Sequence, residues 1–469
     1  LTSAEGLLSA KMENVLVTYD MFFREIPNNG GFAVMAGLSV LIEELKNLKF
    51  TDDILTSLGQ DGFSEKLIDY LRNFKFSCDI YAVPEGTPVF PNEPIVKVCG
   101  PVIQVQLIET LVLNIINHQT LIATKANRVV RAAQGKSVIE MGARRSQGFD
   151  SAMYGARAAY IGGVSATTLY NASKEFNIPS VAPMSHSWVQ LFDDELEAFK
   201  IYLEEHGEDG MLLVDTYDTL KSGIPNAIRV FTEMREAGIP LSFYGIRLDS
   251  GDLAYMSKKA RKMLDEAGFP DAVISASSDL DEYLIESLKL QGAAITSWGV
   301  GTNLITSADN PAFGGVYKLA AIKGADGKFI PKIKLSENSI KITNPGNKKI
   351  YRIYEKETGK LKADLICLAD ETFTENDFIL LFDPNEPWKK TRLKPGTFTI
   401  RELMVPVFLA GECVYDSPKV MEIREYCKQE LDSLWDETRR LVNPHKVYVD
   451  LSKKLYDVKL ELLDQMSEK

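Results

Sequence analysis

The sequence contains few cysteines and few histidines. Its 469 residues include five cysteines and four histidines. No two cysteines form a C-x-x-C pair, which argues against both a disulfide framework and a structural zinc site. We therefore expect reduced thiols in a cytoplasmic protein.

The sequence also lacks a basic excess and an uninterrupted apolar run. Its formal net charge is −12, whereas a nucleic-acid-binding protein usually carries a basic face, so we expect no nucleic-acid partner. Polar residues such as Gln106 and Asn114 interrupt the most apolar stretch, residues 101–133. This stretch predicts a long amphipathic or buried helix, and we expect no membrane partner. Because the chain begins with Leu1 instead of Met, we expect further residues to precede it.

Three segments differ in their rhythm of apolar and polar residues. Residues 1–135 mix helical spacing with short strands broken by Pro and Gly, which predicts a mixed α+β N-terminal domain. Residues 136–330 repeat a short apolar run, a polar or glycine-containing end and a helical pattern, which is typical of a (β/α) barrel. Seven such units are visible, so we expect an irregular barrel. Residues 331–469 predict short strands and then helices, packing partly back on the N-terminal domain.

Reactive residues follow nearly every predicted strand of the barrel segment. In such barrels the carboxyl ends of the strands build the active site. Asp249 and Asp252 flank a Ser-Gly turn, where the pair suits either ribose hydroxyls and Mg²⁺ or a helix cap. Capping does not explain Arg247, two positions before Asp249 in an apolar strand, so we favour a functional role. Asp215 ends another strand, where a lone aspartate is more often a turn residue.

Two further strand ends suit an anionic ligand. Gly299 and Gly301 precede a predicted helix start at Thr302, and glycine lets backbone N–H groups approach an anion, although a plain tight turn has the same pattern. Arg144 and Arg145 follow the first strand, and guanidinium groups pair bidentately with carboxylates and phosphates. On an ordinary surface loop two arginines would be solvated charges, whereas at an active-site rim they indicate an anionic substrate.

His186 lies in the stretch VAPMSHSW, after another predicted strand. A lone histidine is more often structural than catalytic. Imidazole also serves as an acid, a base or a nucleophile that accepts a phosphoryl group. Because arginines, aspartates and a glycine-rich anion site are expected at the neighbouring strand ends, we favour catalysis.

Ten segments in consistent order resemble the nicotinate phosphoribosyltransferases. They are DMFFREIPNNGGFAVMAGL, NHQTLIATKANR, VIEMGARRSQG, AAYIGGVSATT, MSHSWVQ, LVDTYDT, YGIRLDSGDLAY, WGVGTNLIT, KLSENSIKITNPG and LWDETRRLVNPHKVYVDLS. The resemblance implies an α/β fold of the type II phosphoribosyltransferase kind, with an irregular barrel, a mixed N-terminal domain and a C-terminal extension. It also implies a homodimer with sites near the subunit interface.

The resemblance implies a reaction as well. Nicotinate and phosphoribosyl pyrophosphate would give nicotinate mononucleotide and pyrophosphate in NAD salvage, with ATP hydrolysis through a phosphorylated His186. His186, Asp249 and Arg247 would be catalytic, and Mg²⁺ would bind Asp249 and Asp252. The residues expected to bind substrates are Arg144, Arg145, Ser165, Asp215, Asp279, Gly299, Gly301 and Thr302.

Ser165 bears on the choice of substrate. Relatives that use nicotinamide carry an Asp in the corresponding loop, and that charge would repel a carboxylate. Ser165 therefore favours nicotinate. The alternatives are a phosphoribosyltransferase for nicotinamide or quinolinate, and a non-catalytic nucleotide-binding relative.

The sequence departs from the family pattern in three places. Ala182 and Pro183 stand where the family usually has Gly-Thr, and proline removes a backbone donor there. Residues 167–169 read Thr-Thr-Leu in place of Thr-Ser-Asn. An Asp-Leu-Tyr motif, whose tyrosine the family uses against the pyridine ring, would lie before Leu1, so either residues are missing before Leu1 or the ring stacking is supplied differently.

Overall fold

The chain folds as two compact units. The structure, a computed structural model, describes residues 1–206, 209–337, 341–384, 386 and 388–467. One unit comprises Leu1–Leu121 and Ala312–Lys469, and the other comprises Ile122–Pro311. The predicted barrel segment shares residues 136–311 with the second unit, and the predicted domain boundaries stay predictions.

Strands and helices alternate in the middle of the chain, whereas β12 to β20 follow one another without an intervening α-helix among the described residues. The α-helices are α1 (Thr2–Ser9), α2 (Leu38–Lys46), α3 (Asp52–Gln60), α4 (Glu65–Arg72), α5 (Val102–Leu107), α6 (Glu109–Ala133), α7 (Phe149–Ile161), α8 (Tyr170–Phe176), α9 (His186–Gln190), α10 (Glu195–His206), α11 (Ile224–Glu236), α12 (Leu253–Glu266), α13 (Glu282–Leu290), α14 (Thr302–Ile305), α15 (Val420–Asp432) and α16 (Lys453–Ser467). The strands are β1 (Leu16–Phe23), β2 (Ala33–Val34), β3 (Asp79–Ala82), β4 (Pro88–Val89), β5 (Val96–Pro101), β6 (Ser137–Glu140), β7 (Ala166–Thr167), β8 (Asp209–Leu213), β9 (Phe243–Leu248), β10 (Val273–Ala276), β11 (Ser297–Val300), β12 (Gly315–Lys323), β13 (Phe329–Pro331), β14 (Lys348–Glu355), β15 (Leu361–Leu368), β16 (Ile379–Phe382), β17 (Lys390–Leu393), β18 (Phe398–Glu402), β19 (Val405–Leu409), β20 (Glu412–Cys413) and β21 (Tyr448–Leu451). Two 3₁₀ turns, Pro27–Asn29 and Ala143–Arg145, and one π turn, Thr219–Gly223, lie between them.

The apolar stretch at residues 101–133 forms two helices in place of the single one predicted. The first, α5, ends at Leu107, and α6 begins at Glu109 and runs for 25 residues. Both Lys125 and Arg128 of α6 are buried, which interrupts its apolar surface. Among the described residues, the helices lack the combination of length and hydropathy that crossing a membrane requires.

The first unit contains the N-terminal and C-terminal strands. Its larger sheet has the strand order β13-β12-β1-β5-β3-β19-β20, with antiparallel pairs throughout. A second sheet has the order β17-β16-β21-β15-β14-β18, and a small ladder joins β2 to β4. Buried apolar side chains of β14, β15 and β16, such as Ile353, Leu365 and Leu381, pack together as a core of the second sheet.

The second unit contains a parallel sheet with the strand order β7-β6-β11-β10-β9-β8. Thr167 of β7 forms a further parallel bridge with Ser180. Six strands and this bridged segment account for the seven predicted βα units. The strand interiors are apolar because helices cover parallel strands on both faces; Leu212, Ile246 and Ile274, for example, are fully buried.

Parallel strands place all their carboxyl ends at one edge of the sheet. The loops that follow β6, β7, β8, β9, β10 and β11 therefore lie at this edge. In open α/β sheets and in barrels, ligands bind at this edge. The predicted reactive residues are found there, with the exception of Ser165.

Candidate active site

A cleft of about 760 Å³ lies at the carboxyl edge of the parallel sheet. It is formed within the second unit, by loops from five strand ends and by the segment that precedes α9. The predicted site residues that line it are Arg144, Arg145, His186, Arg247, Asp249, Asp279, Gly299, Gly301 and Thr302. The structure thus brings together nine residues that are spread over more than a hundred positions of sequence.

His186 is the first residue of α9, and its side chain faces the cleft. Ser185 caps this helix, since its hydroxyl oxygen accepts a hydrogen bond from the Trp188 amide at 3.3 Å. The imidazole Nδ1 lies 3.1 Å from Thr216 Oγ1, and Nε2 lies 3.6 Å from Asp249 Oδ2. The side chain is 41% exposed, so a ligand in the cleft can reach it. His186 is therefore oriented by contacts at both ring nitrogens and is not a core histidine.

Asp249 follows β9 and is held from two sides. One of its carboxylate oxygens accepts a hydrogen bond from the Ser277 hydroxyl. Its backbone amide donates to Asp215 Oδ2 at 2.8 Å, and the Ser250 hydroxyl donates to the same oxygen at 2.7 Å. Asp215 itself is not among the residues lining the cleft. In this structure Asp215 fixes the loop that carries Asp249.

Arg247 projects from β9 towards the same cleft. Its Nη2 donates a hydrogen bond to the Met184 carbonyl oxygen at 2.9 Å, while its buried Nε has no hydrogen-bond partner among the described residues. Burial lowers the pKa of Arg247, and the carboxylates of Asp249 and Asp215 oppose that shift. Arginine stays charged at neutral pH, so Arg247 presents a cation with unused hydrogen-bonding capacity.

Glu140 fixes the loop that carries the two adjacent arginines. It ends β6, and its carboxylate accepts hydrogen bonds from the Gly142 amide and, at 2.7 Å, from the Thr167 hydroxyl. Burial raises the pKa of Glu140, and these two hydrogen bonds oppose the shift. Arg144 and Arg145 follow in a 3₁₀ turn, and both are exposed at the cleft. Their guanidinium groups are placed to meet an anion.

Glycine is required where the loops after β6 and β11 touch. A Cβ added to Gly142 would lie 2.6 Å from the Gly301 carbonyl oxygen, which is backbone and does not yield easily. A Cβ on Gly299 would lie 2.6 Å from the Met141 sulfur. These contacts fix the backbone around Gly301, which lines the cleft together with Thr302.

The loop after β10 also lines the cleft. Its residues Ser278 and Asp279 have φ values of 105° and 44°, a region that L-residues rarely adopt. The Asn303 side-chain amide donates to the Asp279 carbonyl oxygen at 2.7 Å and so links this loop to α14. Such strained backbone persists where the surrounding structure fixes it and is often found at functional sites.

Three predicted site residues do not line the cleft: Asp215, described above, Ser165 and Asp252. Ser165 precedes β7, at the amino end of the sheet, and its amide donates to the Val138 carbonyl oxygen at 2.7 Å. It does not line the cleft, whereas Thr168, which follows β7, does. Asp252 caps α12, because its carboxylate accepts the Tyr255 amide at 2.9 Å, and it does not line the cleft. The predicted ligand roles of Ser165 and Asp252 stay predictions, since neither residue lines the cleft.

The described residues offer only a sparse site for a metal ion. They contain no group of three or more His, Cys, Asp or Glu side chains arranged to hold one. Mg²⁺, however, commonly uses one or two carboxylates together with waters and substrate phosphates. Asp249 and Asp279, both in the cleft, fit that pattern.

Comparison with known proteins gives one consistent answer. The profile of the nicotinate phosphoribosyltransferase (NAPRTase) N-terminal domain matches residues 1–117, and that of the nicotinate phosphoribosyltransferase C-terminal domain matches residues 347–459. The nicotinate phosphoribosyltransferase of Bacillus subtilis (strain 168) is 47% identical over 96% of this chain and 91% of the relative. The chain belongs to the nicotinate phosphoribosyltransferase family.

Other members and solved structures agree with this assignment. Nicotinate phosphoribosyltransferase 2 of Arabidopsis thaliana is 34% identical over 97% of this chain and 91% of its own length. The crystal structure of human nicotinic acid phosphoribosyltransferase superposes with a TM-score of 0.84 and 26% identity, covering 98% of each chain. A nicotinate-nucleotide pyrophosphorylase from Pyrococcus furiosus has a TM-score of 0.68 at 21% identity and so shares the fold. The predicted family and the predicted fold class are confirmed.

The departure from the family at residues 182–183 leaves the loop before His186 well anchored. The Tyr202 hydroxyl donates to the Ala182 carbonyl oxygen at 3.1 Å, and Arg247 donates to that of Met184. Both contacts use carbonyl oxygens on either side of Pro183. The N–H that proline lacks is therefore not needed for either of them.

Sequence reasoning missed several residues that shape the site. Thr216 and Ser277 contact His186 and Asp249, and Glu140 orders the arginine loop. Thr216 directly follows the predicted site residue Asp215, and Ser277 directly follows β10. Their position at a strand end could therefore have identified both as site residues. Glu140 could have been identified in the sequence as a single carboxylate at the end of an apolar strand.

Proposed function

We propose that this chain transfers the phosphoribosyl group of phosphoribosyl pyrophosphate to nicotinate, giving nicotinate mononucleotide and pyrophosphate in NAD salvage, with ATP as co-substrate. One observation carries the proposal. In a member of the nicotinate phosphoribosyltransferase family, His186, Asp249 and Arg247 converge in one cleft whose rim carries two exposed arginines.

The cleft suits the charge changes of this transfer. When the bond from ribose C1 to pyrophosphate breaks, positive charge develops on the sugar and negative charge on the leaving group. Arg247 presents a cation with an unpaired N–H, and the Asp249 carboxylate lies on the same side of the sheet. Preorganised charges of this kind stabilise a charge-separated transition state. The remaining contribution is positioning of the two substrates.

Arg144 or Arg145 binds the nicotinate carboxylate. A guanidinium fork donates hydrogen bonds to both oxygens of a carboxylate, whereas the neutral amide of nicotinamide offers one acceptor oxygen and no charge. Thr168, three positions after Ser165, lines the cleft. Its side chain carries no negative charge that would repel a carboxylate. Gly299, Gly301 and the first turn of α14 are assigned to the ribose 5′-phosphate.

His186 accepts the terminal phosphoryl group of ATP. A ring-nitrogen lone pair attacks the terminal phosphorus, the bond to the bridging oxygen breaks, and ADP leaves with that electron pair. Asp249 lies near enough to stabilise the charged ring. Mg²⁺ bound at Asp249 and Asp279 would reduce the negative charge of the phosphates.

Product analysis with nicotinate, phosphoribosyl pyrophosphate, ATP and Mg²⁺ tests the function. We expect nicotinate mononucleotide and pyrophosphate, with ADP and phosphate released alongside. Matched reactions with nicotinamide and with quinolinate separate the alternatives. A preference for either of those bases would overturn the assignment, and the absence of any product with all three would favour a nucleotide-binding relative.

The proposed setting is a cytoplasmic homodimer. All five cysteines are free, which suits a reducing compartment. Aromatic side chains at the carboxyl edge of the parallel sheet, Phe149 and Tyr170, are 60% and 63% exposed in the single chain. Exposed aromatic residues are commonly covered by a partner, and a second copy near the cleft would cover them.

A further inference from the structure

A buried ionic cluster lies in the second unit, outside the set of residues that line the cleft. It consists of Lys125, Arg128 and Glu282, whose side chains are 2%, 1% and 0% exposed. Lys125 Nζ lies 2.7 Å from Glu282 Oε2, and Arg128 Nε donates to Glu282 Oε1 at 2.6 Å. None of the three lines the cleft, and the proposed reaction does not use them.

The ionic cluster anchors the loop after β10. Glu282 is the first residue of α13 and follows this loop directly. The loop contains Ser277, which donates to Asp249, and the two residues with positive φ, Ser278 and Asp279. Backbone in that region returns to an ordinary conformation unless its surroundings hold it. Glu282 is held to α6, so one end of the strained loop is fixed.

Lys125 also anchors the segment that follows α14. Its Nζ lies 2.8 Å from Asp309 Oδ1, four residues beyond the end of α14. The side chain of Asn303 in α14 in turn donates to the Asp279 carbonyl oxygen. The loop after β10 is therefore joined to residues 302–309, which are α14 and the segment after it, and both are attached to Lys125.

Stability alone does not account for such a cluster. Removing three charges from water is costly, and the attraction between them often does no more than compensate for that loss. Apolar replacements of similar volume are frequently neutral or stabilising. A cluster of this kind is better explained by the geometry that it imposes.

We propose that Lys125, Arg128 and Glu282 are positioning residues that hold the loop after β10 and residues 302–309 in the geometry the cleft requires, without touching substrate. Ser277 in the loop after β10 orients Asp249, and Gly301 and Thr302 lie at the start of α14 in the cleft, so the cluster influences the positions of these three residues. The kinetic consequence rests on the proposed function, whereas the loop geometry does not.

An apolar triple variant, Lys125→Met, Arg128→Met and Glu282→Leu, separates positioning from stability. We expect its melting temperature to equal or exceed that of the wild type, and its kcat/KM for phosphoribosyl pyrophosphate to fall at least about 30-fold. The matched control is Lys200→Met with Glu233→Leu, a 2.6 Å ion pair between α10 and α11 outside the cleft. The control is expected to stay within about twofold of the wild type. Wild-type kinetics in a folded triple variant would refute the positioning role.

Milder variants decide the matter if the triple variant does not fold. Asp309 is exposed, so Asp309→Asn removes one anchor at little risk to folding. We expect a three- to tenfold loss of kcat with an unchanged melting temperature, and we expect Lys125→Arg to keep activity within about threefold. The cluster would have a structural role only if kcat were unchanged in Asp309→Asn and if Lys125→Arg lost its activity because it unfolds.

Hydrogen exchange tests the same proposal without reference to activity. Amides of residues 277–281 and 302–309 should exchange faster in the triple variant than in the wild type, and at wild-type rates in the control. If the wild type makes no product, the proposed function fails while these exchange rates still decide the positioning role. Equal exchange in a folded triple variant would overturn it.

Discussion

The imidazole Nε2 of His186 lies 3.6 Å from Asp249 Oδ2, while Nδ1 of the same ring lies 3.1 Å from the Thr216 hydroxyl. Three loops, after β8, after β9 and before α9, thus meet at one side chain. Asp249 is 36% exposed and is itself ordered by Ser277 and Asp215. This arrangement orients an exposed imidazole at a cleft whose rim carries two arginines, which fits the phosphorylation proposed for this ring.

His186→Asn is expected to abolish phosphorylation of the protein. Incubation with γ-labelled ATP should label the wild type and leave the variant unlabelled, because the ring nitrogen that accepts the phosphoryl group is gone. His445→Asn, an exposed histidine of the other unit, is the control and should label normally. Equal labelling of His186→Asn and the wild type would move the acceptor elsewhere.

Asp249→Asn should lower kcat by roughly 10²-fold or more, as expected when a preorganised charge is removed from an active site. Ser277→Ala removes one hydrogen bond to that carboxylate and should cost about five- to tenfold, the kinetic equivalent of roughly 1 kcal/mol. Steady-state rates together with melting temperatures check both variants. Near-normal turnover in Asp249→Asn would remove this residue from the mechanism.

Arg144→Gln and Arg145→Gln test which guanidinium binds the nicotinate carboxylate. A charge-assisted hydrogen bond is worth about 1.5–3 kcal/mol, so one of the two variants should raise KM for nicotinate by about 10- to 100-fold. Arg229→Gln, an exposed arginine of α11, should leave KM unchanged. If neither variant at the cleft shifts KM, the carboxylate is bound by other groups.

Asp450 predicts a measurable pH dependence of folding stability. Burial, reinforced by Asp383, raises the pKa of Asp450 from its ordinary 3.8 to about 6. A raised carboxyl pKa contributes stability that is complete below pH 3.8 and is lost as the pH rises through 6. Asp450→Asn does not titrate, so relative to the wild type it should gain about 2 kcal/mol between pH 4 and pH 7.5.

Denaturant unfolding at both pH values measures that difference. Asp61→Asn, at an exposed helix end, serves as the matched control and should show the wild-type pH dependence. Parallel pH profiles for Asp450→Asn and the wild type would show that Asp450 titrates normally.

Much of the fold was accessible from the sequence, because strand and helix periodicity in residues 136–330 is local. All seven predicted βα units correspond to strands of the parallel sheet or to the bridged segment at Ser180. Nine predicted site residues meet in the cleft, because parallel strands carry their carboxyl ends to one edge. The family resemblance added the reaction, which no periodicity shows.

Other features depended on contacts between distant residues. Ser165 and Thr168 are three positions apart and lie on either side of the two-residue strand β7. Thr168 lines the cleft because it follows the strand, whereas Ser165 precedes it. Asp252 matched both a metal ligand and a helix cap, and its hydrogen bond to the Tyr255 amide provides the cap. The cluster of Lys125 and Glu282 joins residues that are 157 positions apart, which no local pattern indicates.

The sequence by itself determined the strand and helix rhythm, the polar residues at the strand ends and the family to which they belong. Tertiary structure decided which of those polar side chains face the cleft and which ones order a loop or cap a helix. The physical reason is that periodicity reports the burial of a segment's own faces. The direction of a side chain at a strand end, in contrast, is set by hydrogen bonds to groups far away in sequence.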